Sequence, residues 1–442
     1  MPAPSAETRV RLRKRITCPH CWHEFPPEET HWVAEHQSLL GDDRLGDNEY
    51  QRFLPSRFNI KGNAIDSGGA VCQELACPQC HLVVPRAMLE TAPLFVSIVG
   101  APACGKTYFL SAMIQQLRES LPRFFRVTIT DADPQSNKVL NDYVEQQFFN
   151  PNRNEVVRLA KTEEQGDLYS SVMMGGRTIT LPMPFLFSLM PNPSHPHAPR
   201  RKQVARVLCL YDNAGESFLP GKDTGQNLVT RHLARSSVLL FLFDPTQDIR
   251  FRAACRSSKD PQVTQELVTS RQETLLHELA QRVRRHAGLG QDEQHKAPLV
   301  VLLTKYDAWS DLLDTAPFAV PLTESKTADD WNALDMKQIE DISDAIRKLM
   351  WKFSPEFVSS AEAFSSRVLF LPASAFGMTP EQDPVTGKFG IKPENISPIW
   401  CDVPILWTLA QRCEGLVPYA NASSTTSASS TQSVGHDEDD DA

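Results

Sequence analysis

Short apolar runs alternate with amphipathic segments along the middle of the chain. Each apolar run has the length of a buried strand, and these runs are residues 94–100, 184–190, 207–211, 238–244, 298–307 and 367–377. Other segments carry apolar residues at helical spacing, and these are residues 108–120, 134–149, 265–286, 329–353 and 404–413. The pattern predicts strands for the first set and helices for the second, with one more strand at residues 124–130.

The first apolar run leads directly into a glycine-containing loop. Residues Gly100–Thr107 read GAPACGKT and match the phosphate-binding pattern GxxxxGK[ST] between a predicted strand and a predicted helix. In such a loop the backbone N–H groups converge on phosphates, so we expect contacts from Gly100, Ala103, Cys104 and Gly105. Lys106 would place its charge against the phosphates, and the Thr107 hydroxyl would complete the coordination of Mg²⁺. The chain is therefore predicted to bind a nucleoside triphosphate.

Two later strand ends carry further polar residues. Asp212 ends the run at 207–211 and is followed by Gly215, which gives the pattern DxxG. A carboxylate at this edge of a parallel sheet suits a bound magnesium ion, and the N–H group of Gly215 can approach the γ-phosphate. Glu216 follows directly. This segment is therefore a second candidate part of the nucleotide site.

The last two apolar runs end in residues suited to a purine base. Residues Thr304, Lys305 and Asp307 close the run 298–307 in the sequence TKYD. An aspartate there can accept both N–H groups of the guanine Watson–Crick edge, which adenine does not offer, while the lysine stem lies across the ring. Ser374 and Ala375 end the following run and can turn backbone N–H groups toward guanine O6. The expected nucleotide is therefore GTP or GDP.

With GAPACGKT, DNAGE, TKYD and SAFG in this order, the chain resembles the Ras-like GTPases of the translation-factor-related (TRAFAC) P-loop class over about residues 94–415. The resemblance implies an α/β fold, a P-loop NTPase with a mostly parallel sheet, helices on both faces and one antiparallel strand. It also implies Mg²⁺-dependent hydrolysis of GTP, with Lys106, Thr162, Gly215 and Glu216 as the catalytic group. Thr178 and Thr180 also precede the antiparallel strand and are alternatives to Thr162.

Three residues depart from the pattern of that class. Thr304 stands where asparagine is usual, Glu216 where a water-orienting glutamine is common, and Pro102 stiffens the phosphate loop. A carboxylate at 216 can polarise water or repel the γ-phosphate. We therefore expect slow hydrolysis without a partner.

The N-terminal region carries two CxxC pairs. Cys18, Cys21, Cys77 and Cys80 have the spacing by which two knuckles supply four thiolates to one Zn²⁺, although His20, His23 and His81 lie close enough in sequence to replace one thiolate. Before the first pair, the spacing of Arg9–Arg15 puts Val10, Leu12 and Ile16 on one face of a strand and the four arginines on the other. This segment is predicted as a strand, either with a charged outer face or with a basic face for nucleic acid.

Composition places limits on the remaining organisation. The chain has 442 residues and a net charge of −9, part of which comes from an acidic tail after a Ser/Thr-rich run. We divide it into a zinc-ribbon domain with a long insertion (1–90), a GTPase domain with an extended first switch (91–417) and a tail (418–442). No apolar run reaches 18 residues, and the basic N-terminus lacks a signal-peptide core, so a cytoplasmic location is expected.

The main hypothesis is a GTP-dependent switch that signals to a protein partner or a second GTPase, with a nucleotide-dependent dimer as one form. The chain also resembles bacterial GTPases that pair with a second GTPase, because it carries a long switch insertion and a cysteine knuckle in front. That resemblance connects such a switch with defence or signalling. Two alternatives remain open, a zinc-ribbon scaffold that binds GTP without hydrolysing it and a GTPase that binds nucleic acid through Arg9–Arg15.

Overall fold

The computed structural model describes residues 12–156, 168–212, 231–255, 258, 260–264, 271–313, 320–324, 332–382 and 389–420. The strands in chain order are β1 (Ile16–Thr17), β2 (Glu24–Phe25), β3 (His31–Val33), β4 (Leu40–Asp42), β5 (Gly46–Tyr50), β6 (Arg52–Phe53), β7 (Leu75–Ala76), β8 (Ala92–Gly100), β9 (Val127–Asp131), β10 (Tyr169–Met174), β11 (Arg177–Pro182), β12 (Phe185–Pro191), β13 (Arg206–Asp212), β14 (Val238–Phe243), β15 (Leu299–Leu303), β16 (Leu322–Glu324), β17 (Asn332–Asp335), β18 (Val368–Pro372), β19 (Glu381–Gln382), β20 (Phe389–Gly390) and β21 (Tyr419–Ala420).

The α-helices are α1 (Ala87–Glu90), α2 (Lys106–Phe125), α3 (Pro134–Phe148), α4 (Arg201–Val204), α5 (Arg231–Arg235), α6 (Ile249–Ala254), α7 (Pro261–Thr264), α8 (Gln272–Ala287), α9 (Tyr306–Trp309), α10 (Met336–Phe353), α11 (Pro355–Phe364) and α12 (Val403–Arg412). Short 3-10 helices span Pro27–Glu29, Gln37–Leu39, Ala198–Arg200, Pro245–Gln247, Ser310–Leu312 and Pro393–Asn395.

Seven strands form the central sheet in the order β18-β15-β14-β8-β13-β12-β9. β12 pairs antiparallel with both of its neighbours, and the other strand pairs of the sheet are parallel. The predicted large, mostly parallel sheet with one antiparallel strand is therefore confirmed. Because the ends of parallel strands meet at one edge, β8, β13, β14, β15 and β18 all deliver their carboxyl ends to the same place.

Several predicted element boundaries are wrong. The strands expected at 298–307 and 367–377 end at Leu303 and Pro372, and Tyr306–Trp309 forms a helix instead. Two other differences have local reasons. The strand expected at 124–130 starts at Val127, because Phe125 still belongs to α2 and Arg126 ends that helix with a positive φ of 54°. The helix expected from residue 329 starts at Met336. Residues Asn332–Asp335 instead form β17, and the Asp335 side chain caps α10 by accepting from the Gln338 N–H.

The two ends of the chain also differ from the prediction. Arg9 and Arg11 lie outside the described residues, and the strand predicted for this segment is observed only at Ile16–Thr17. Leu12 is 47% exposed and Arg13 is partly buried, against the predicted faces, whereas Ile16 is buried and Arg15 is exposed, as predicted. Of the tail predicted at 418–442, Tyr419–Ala420 pairs with β17, and the residues from 421 lie outside the described part of the chain.

The N-terminal region, which we call the cysteine module (residues 12–90), packs on the central sheet. Alternate residues of β13 belong to two different buried clusters. Leu208 and Leu210 join the helices of the main core, whereas Val207, Cys209 and Tyr211 join the module. The expectation of helices on both faces therefore needs correction, because the module covers this part of one face.

Candidate functional site

The loop between β8 and α2 makes a tight turn at the centre of the sheet edge. Ala103 and Gly105 both have positive φ, 60° and 90°. Gly100 has no room for a side chain, because a Cβ atom there would lie 2.8 Å from Cys104 Sγ and 2.9 Å from the Leu242 carbonyl oxygen. The close approach of β14 therefore requires glycine at position 100.

Lys106 and Thr107 open α2 at the end of this loop. The Lys106 ammonium donates to the carbonyl oxygens of Gly100 and Ala101, at 3.2 and 3.3 Å. Its charge therefore lies inside the loop, beside the N-terminal N–H groups of a helix, where both favour an anion.

Asp212 ends β13, the strand next to the loop-bearing β8. It lies opposite Ile98 in the parallel pairing, two residues before Gly100, and is 9% exposed. Its carboxylate thus lies at the same sheet edge as the loop. Thr162, Gly215 and Glu216, the other residues predicted for this side of the site, lie outside the described residues.

The TKYD and SAFG segments meet at the neighbouring strand ends. The Ser374 hydroxyl donates to Asp307 Oδ1 at 2.5 Å, and Ser374 is itself held by two backbone hydrogen bonds with Ile399, at 3.0 and 2.8 Å. Burial raises the pKa of Asp307, an effect that the Ser374 hydrogen bond opposes. The carboxylate therefore lies in a poorly hydrated position, where hydrogen-bond donors of a ligand would be favoured.

These segments line one cavity of about 200 Å³. Its walls include the predicted residues Ala103, Cys104, Gly105, Thr304, Lys305, Asp307, Ser374 and Ala375. The structure therefore brings the phosphate loop and the TKYD and SAFG segments together. Asp212 and Lys106 are not among the wall residues, although both lie at the same edge.

Several wall residues have no counterpart in the sequence prediction. The rings of Tyr108 and Phe376 make an edge-to-face contact, with centroids 4.9 Å apart, and Asp260 and Pro261 also line the cavity. Phe376 belongs to the quoted SAFG motif, so its position at a strand end was a usable signal. Asp260 carried no such signal, because α7 is short and lies in no recognised motif.

Asp244 is a further buried carboxylate at this edge, one residue beyond β14. Its Oδ2 accepts from the Lys305 ammonium at 2.7 Å, and its Oδ1 accepts from the N–H and hydroxyl of Thr246 at 2.9 and 2.7 Å. In the same turn the Gln247 side chain donates to the Pro102 carbonyl oxygen at 3.0 Å. This turn therefore ties the phosphate loop to the TKYD segment.

That connection bears on the unusual threonine of the TKYD motif. Thr304 donates through its N–H and hydroxyl to the Phe243 carbonyl, at 2.9 and 3.3 Å. In the structure the contact with the phosphate loop comes from Gln247 instead. The side chain that reaches the phosphate loop therefore comes from the 3-10 helix after β14 and not from the TKYD segment.

Four buried thiols converge in the cysteine module. The sulfur atoms of Cys18, Cys21, Cys77 and Cys80 all lie within 4.8 Å of one another. The Cys18–Cys80 and Cys21–Cys77 sulfur pairs are each 3.7 Å apart. A tetrahedron with Zn–S bonds of about 2.3 Å has S–S edges of about 3.8 Å, so the spacing fits zinc, whereas a disulfide needs about 2.05 Å.

The two knuckles have the same local geometry. The N–H of His20 points at Cys18 Sγ and the N–H of Gln79 at Cys77 Sγ, both at 3.4 Å. The residues after the second cysteines, Trp22 and His81, both have positive φ, 58° and 64°. Such N–H contacts stabilise thiolate charge, and this repeated turn is consistent with one ion held between two equivalent loops.

The nearby histidines point elsewhere. His20 contacts the carbonyl oxygens of Val83 and Pro182, at 3.0 and 3.3 Å, and His81 lies 2.8 Å from an Asp42 carboxylate oxygen. His23 stacks on Phe25. The four cysteines are therefore the better ligand set. Burial raises the pKa of the Cys18 thiol well above its usual value, and a bound cation would favour the thiolate there.

No protein-family model matches this chain. No curated protein matches it either. A solved structure of a nucleolar GTP-binding protein 1 from Plasmodium falciparum is 11% identical, with 74% of this chain and 91% of that chain covered and a TM-score of 0.28. The signal recognition particle receptor SRb-GTP/SRX complex from Chaetomium thermophilum is 16% identical, with 66% and 94% covered and a TM-score of 0.26.

Translation elongation factor SelB from Methanococcus maripaludis, solved with the GTP analogue GppNHp, is 9% identical, with 65% of this chain and 31% of that chain covered and a TM-score of 0.20. All three TM-scores lie below 0.5, so the function has to be inferred from the geometry of the site. None of the described helices is long and apolar enough to cross a membrane.

The Asp244–Lys305 contact predicts a specific loss of stability. Asp244 is fully buried and the Lys305 side chain is 18% exposed, so Asp244→Asn should lower the free energy of unfolding by about 2–3 kcal/mol, measured by denaturant titration. Asp341→Asn is the matched control, because the Lys337–Asp341 pair is equally short at 2.6 Å but more than 60% exposed on both sides. It should change stability little, and an equal effect of the two substitutions would contradict the structural role of Asp244.

Proposed function

We propose that this chain is a guanine-nucleotide-binding protein that hydrolyses GTP with Mg²⁺. The observation that carries the proposal is the single cavity in which the phosphate loop meets Asp307 and Ser374. The loop residues Ala103, Cys104 and Gly105 line this cavity together with the partly buried carboxylate of Asp307. A nucleotide is the ligand class that combines a polyphosphate with a base offering N–H donors.

The phosphate end is formed by the loop 100–107. Its backbone N–H groups and the Lys106 ammonium would hold the β- and γ-phosphates, with the α2 N-terminus contributing favourable charge. Thr107 and Asp212 supply the oxygen ligands that Mg²⁺ prefers, and both lie at the edge where the phosphates would bind. When bound, Mg²⁺ would neutralise charge developing on the phosphate oxygens.

The base end accounts for selection of guanine. The Asp307 carboxylate can accept from both N1–H and the 2-amino group of guanine, while adenine presents an unprotonated N1 that a carboxylate repels. Ser374 holds Asp307 in place through its hydrogen bond. Lys305, oriented by Asp244, lies on the same wall, where its stem can cover the base.

Replacing the base-reading carboxylate provides the direct test. Asp307→Asn should weaken GTP binding about 100-fold or more, because charge-assisted hydrogen bonds of about 1.5–3 kcal/mol each are lost. The same variant should gain affinity for xanthosine triphosphate, whose 2-oxo group accepts from the new amide. Titration calorimetry with both nucleotides measures this change of nucleotide preference.

Asp311→Asn is the control for this change of nucleotide preference, because Asp311 lies on the adjoining 3-10 helix and does not line the cavity. It should leave the preference for GTP intact. Unchanged GTP affinity in Asp307→Asn would contradict the assignment of this cavity to guanine.

Slow hydrolysis without a protein partner or a second GTPase is part of the proposal. Glu216 replaces the usual glutamine. Pro102 of the phosphate loop accepts a hydrogen bond from the Gln247 side chain through its carbonyl oxygen. We expect a single-turnover rate below about 1 per second at saturating GTP and Mg²⁺. Rapid-quench measurement of phosphate release would check this, with Lys106→Ala as the background.

A faster rate would show that the chain needs no partner. Release no greater than in Lys106→Ala, with GTP bound, would support a scaffold that binds nucleotide without hydrolysing it.

We also propose that Cys18, Cys21, Cys77 and Cys80 hold one zinc ion. The 3.7 Å spacing of two sulfur pairs, the convergence of all four sulfurs and the matching knuckle turns support this assignment. Cys77→Ser should abolish stoichiometric zinc, measured by elemental analysis, and should lower the free energy of unfolding by about 3 kcal/mol or more. Cys72→Ser is the control, because Cys72 is a buried thiol of the same module that faces Asp66 instead of the cluster. Equal zinc content in both variants would contradict the proposal.

A further inference from the structure

Tyr211 connects the first cysteine knuckle to the end of β13. Its phenol donates to the Pro19 carbonyl oxygen at 2.6 Å, and its side chain is almost fully buried. Pro19 lies between Cys18 and Cys21, two residues of the thiol cluster. The next residue after Tyr211 is Asp212, the carboxylate proposed to face Mg²⁺. Two adjacent residues therefore contact the first knuckle and supply the proposed magnesium ligand.

The position of the Pro19 carbonyl depends on the closure of its knuckle. Trp22 donates its N–H to the Cys18 carbonyl at 3.1 Å, and the Cys18 N–H donates to the His23 carbonyl at 2.9 Å. These bonds close a turn around Cys18 and Cys21, whose sulfurs point inward to the cluster. A cation shared by the four sulfurs would hold this turn against the second knuckle, and its loss would free the turn to move.

The ring of Tyr211 is also held from the side. It stacks on the His232 ring with centroids 4.6 Å apart and planes 9° apart, and Trp22 lies 5.8 Å from Tyr211. His232 Nδ1 is 2.6 Å from the Ser97 hydroxyl of β8, the strand that carries the phosphate loop. The tyrosine therefore has little freedom to adjust if the knuckle shifts, and a shift would reach the backbone of β13.

A second contact joins the same two regions. Arg235 of α5 lies 3.7 Å from Glu24, three residues after Cys21. Both side chains are about 40–50% exposed, so this ion pair adds little energy. The buried contact of Tyr211 is thus the stronger mechanical connection between the module and the sheet edge.

We propose that Tyr211 is a positioning residue through which the zinc-loaded knuckle holds Asp212 at the magnesium side of the nucleotide site. This inference rests on the proposed function, because it takes the nucleotide and zinc sites as assigned above. Its consequence is reciprocal: Mg²⁺ with nucleotide should strengthen zinc binding by the same factor by which zinc strengthens nucleotide binding. A tyrosine that only fills the core would produce no such coupling.

The test measures zinc affinity in place of GTPase activity. The full-length zinc-loaded protein is titrated with a chromogenic zinc chelator, alone, with Mg²⁺, with a non-hydrolysable GTP analogue, and with both. We expect Mg²⁺ plus analogue to tighten zinc binding about fivefold or more, in the usual range of coupling between sites. The analogue without added Mg²⁺ should change zinc affinity less, because Asp212 is proposed to contact the nucleotide through Mg²⁺.

Tyr211→Phe removes the hydrogen bond to Pro19 and keeps the ring. This variant should bind zinc and the analogue, yet the zinc affinity should no longer respond to Mg²⁺ plus analogue. Tyr50→Phe, in the same module, is the matched control and should retain the full coupling. If Tyr211→Phe does not fold, the wild-type titration still decides whether zinc affinity responds to Mg²⁺ plus analogue. Trp22→Phe should then reduce that response, because it loosens the ring contact with Tyr211.

The possible outcomes distinguish the positioning role of Tyr211 from the proposed binding of GTP. Equal zinc affinity with and without Mg²⁺ plus analogue in wild type, where both ligands bind, would overturn the positioning role alone. Full coupling in Tyr211→Phe would also overturn it. Binding of the analogue is measured in the same samples with a fluorescent form of it. A wild-type protein that binds none of the analogue would overturn both proposals.

Discussion

The parallel pairing of β8 with β13 on one side and β14 on the other is the constraint on which the rest of the structure depends. It places Gly100, Asp212 and Asp244 at one edge, although they come from distant parts of the chain. The pairing also explains the first glycine of the loop, since β14 runs too close for any side chain at position 100. From this edge, β15 and β18 add Asp307 and Ser374. The candidate site is thus a property of strand order more than of any single loop.

The cysteine module shares its buried core with the sheet. Its residues pack against Val207, Cys209 and Tyr211 of β13, so folding of the module and ordering of this sheet face are joined. The His20 ring, seated between the carbonyls of Val83 and Pro182, extends the same contact toward β11. The four clustered cysteines belong to the same buried cluster as Tyr211, the residue before Asp212. The proposed zinc site therefore packs against the strand that leads to the proposed magnesium ligand.

The apolar runs predicted the strands of the sheet well, because a buried parallel strand is apolar along its whole length and its end is marked by polar residues, as at Asp212 and Thr304. The same reasoning failed at Asn332–Asp335, whose strand pairs with Tyr419–Ala420 at the far end of the chain. The contact between Gln247 and Pro102 and that between Tyr211 and Pro19 join residues 145 and 192 positions apart. No local pattern encodes such pairs, so the tether across the site and the packing of the module could be learned only from the fold. Thr162, Gly215 and Glu216 remain predictions.

The central claim is that the cavity between the phosphate loop and Asp307 selects a guanine nucleotide. Competition calorimetry on the wild-type, zinc-loaded protein tests it most directly, with GTP and ATP offered in turn in the presence of Mg²⁺. The account predicts that GTP binds and that ATP fails to displace it at equal concentration. Displacement of GTP by ATP, or no heat of binding with either nucleotide, would contradict it.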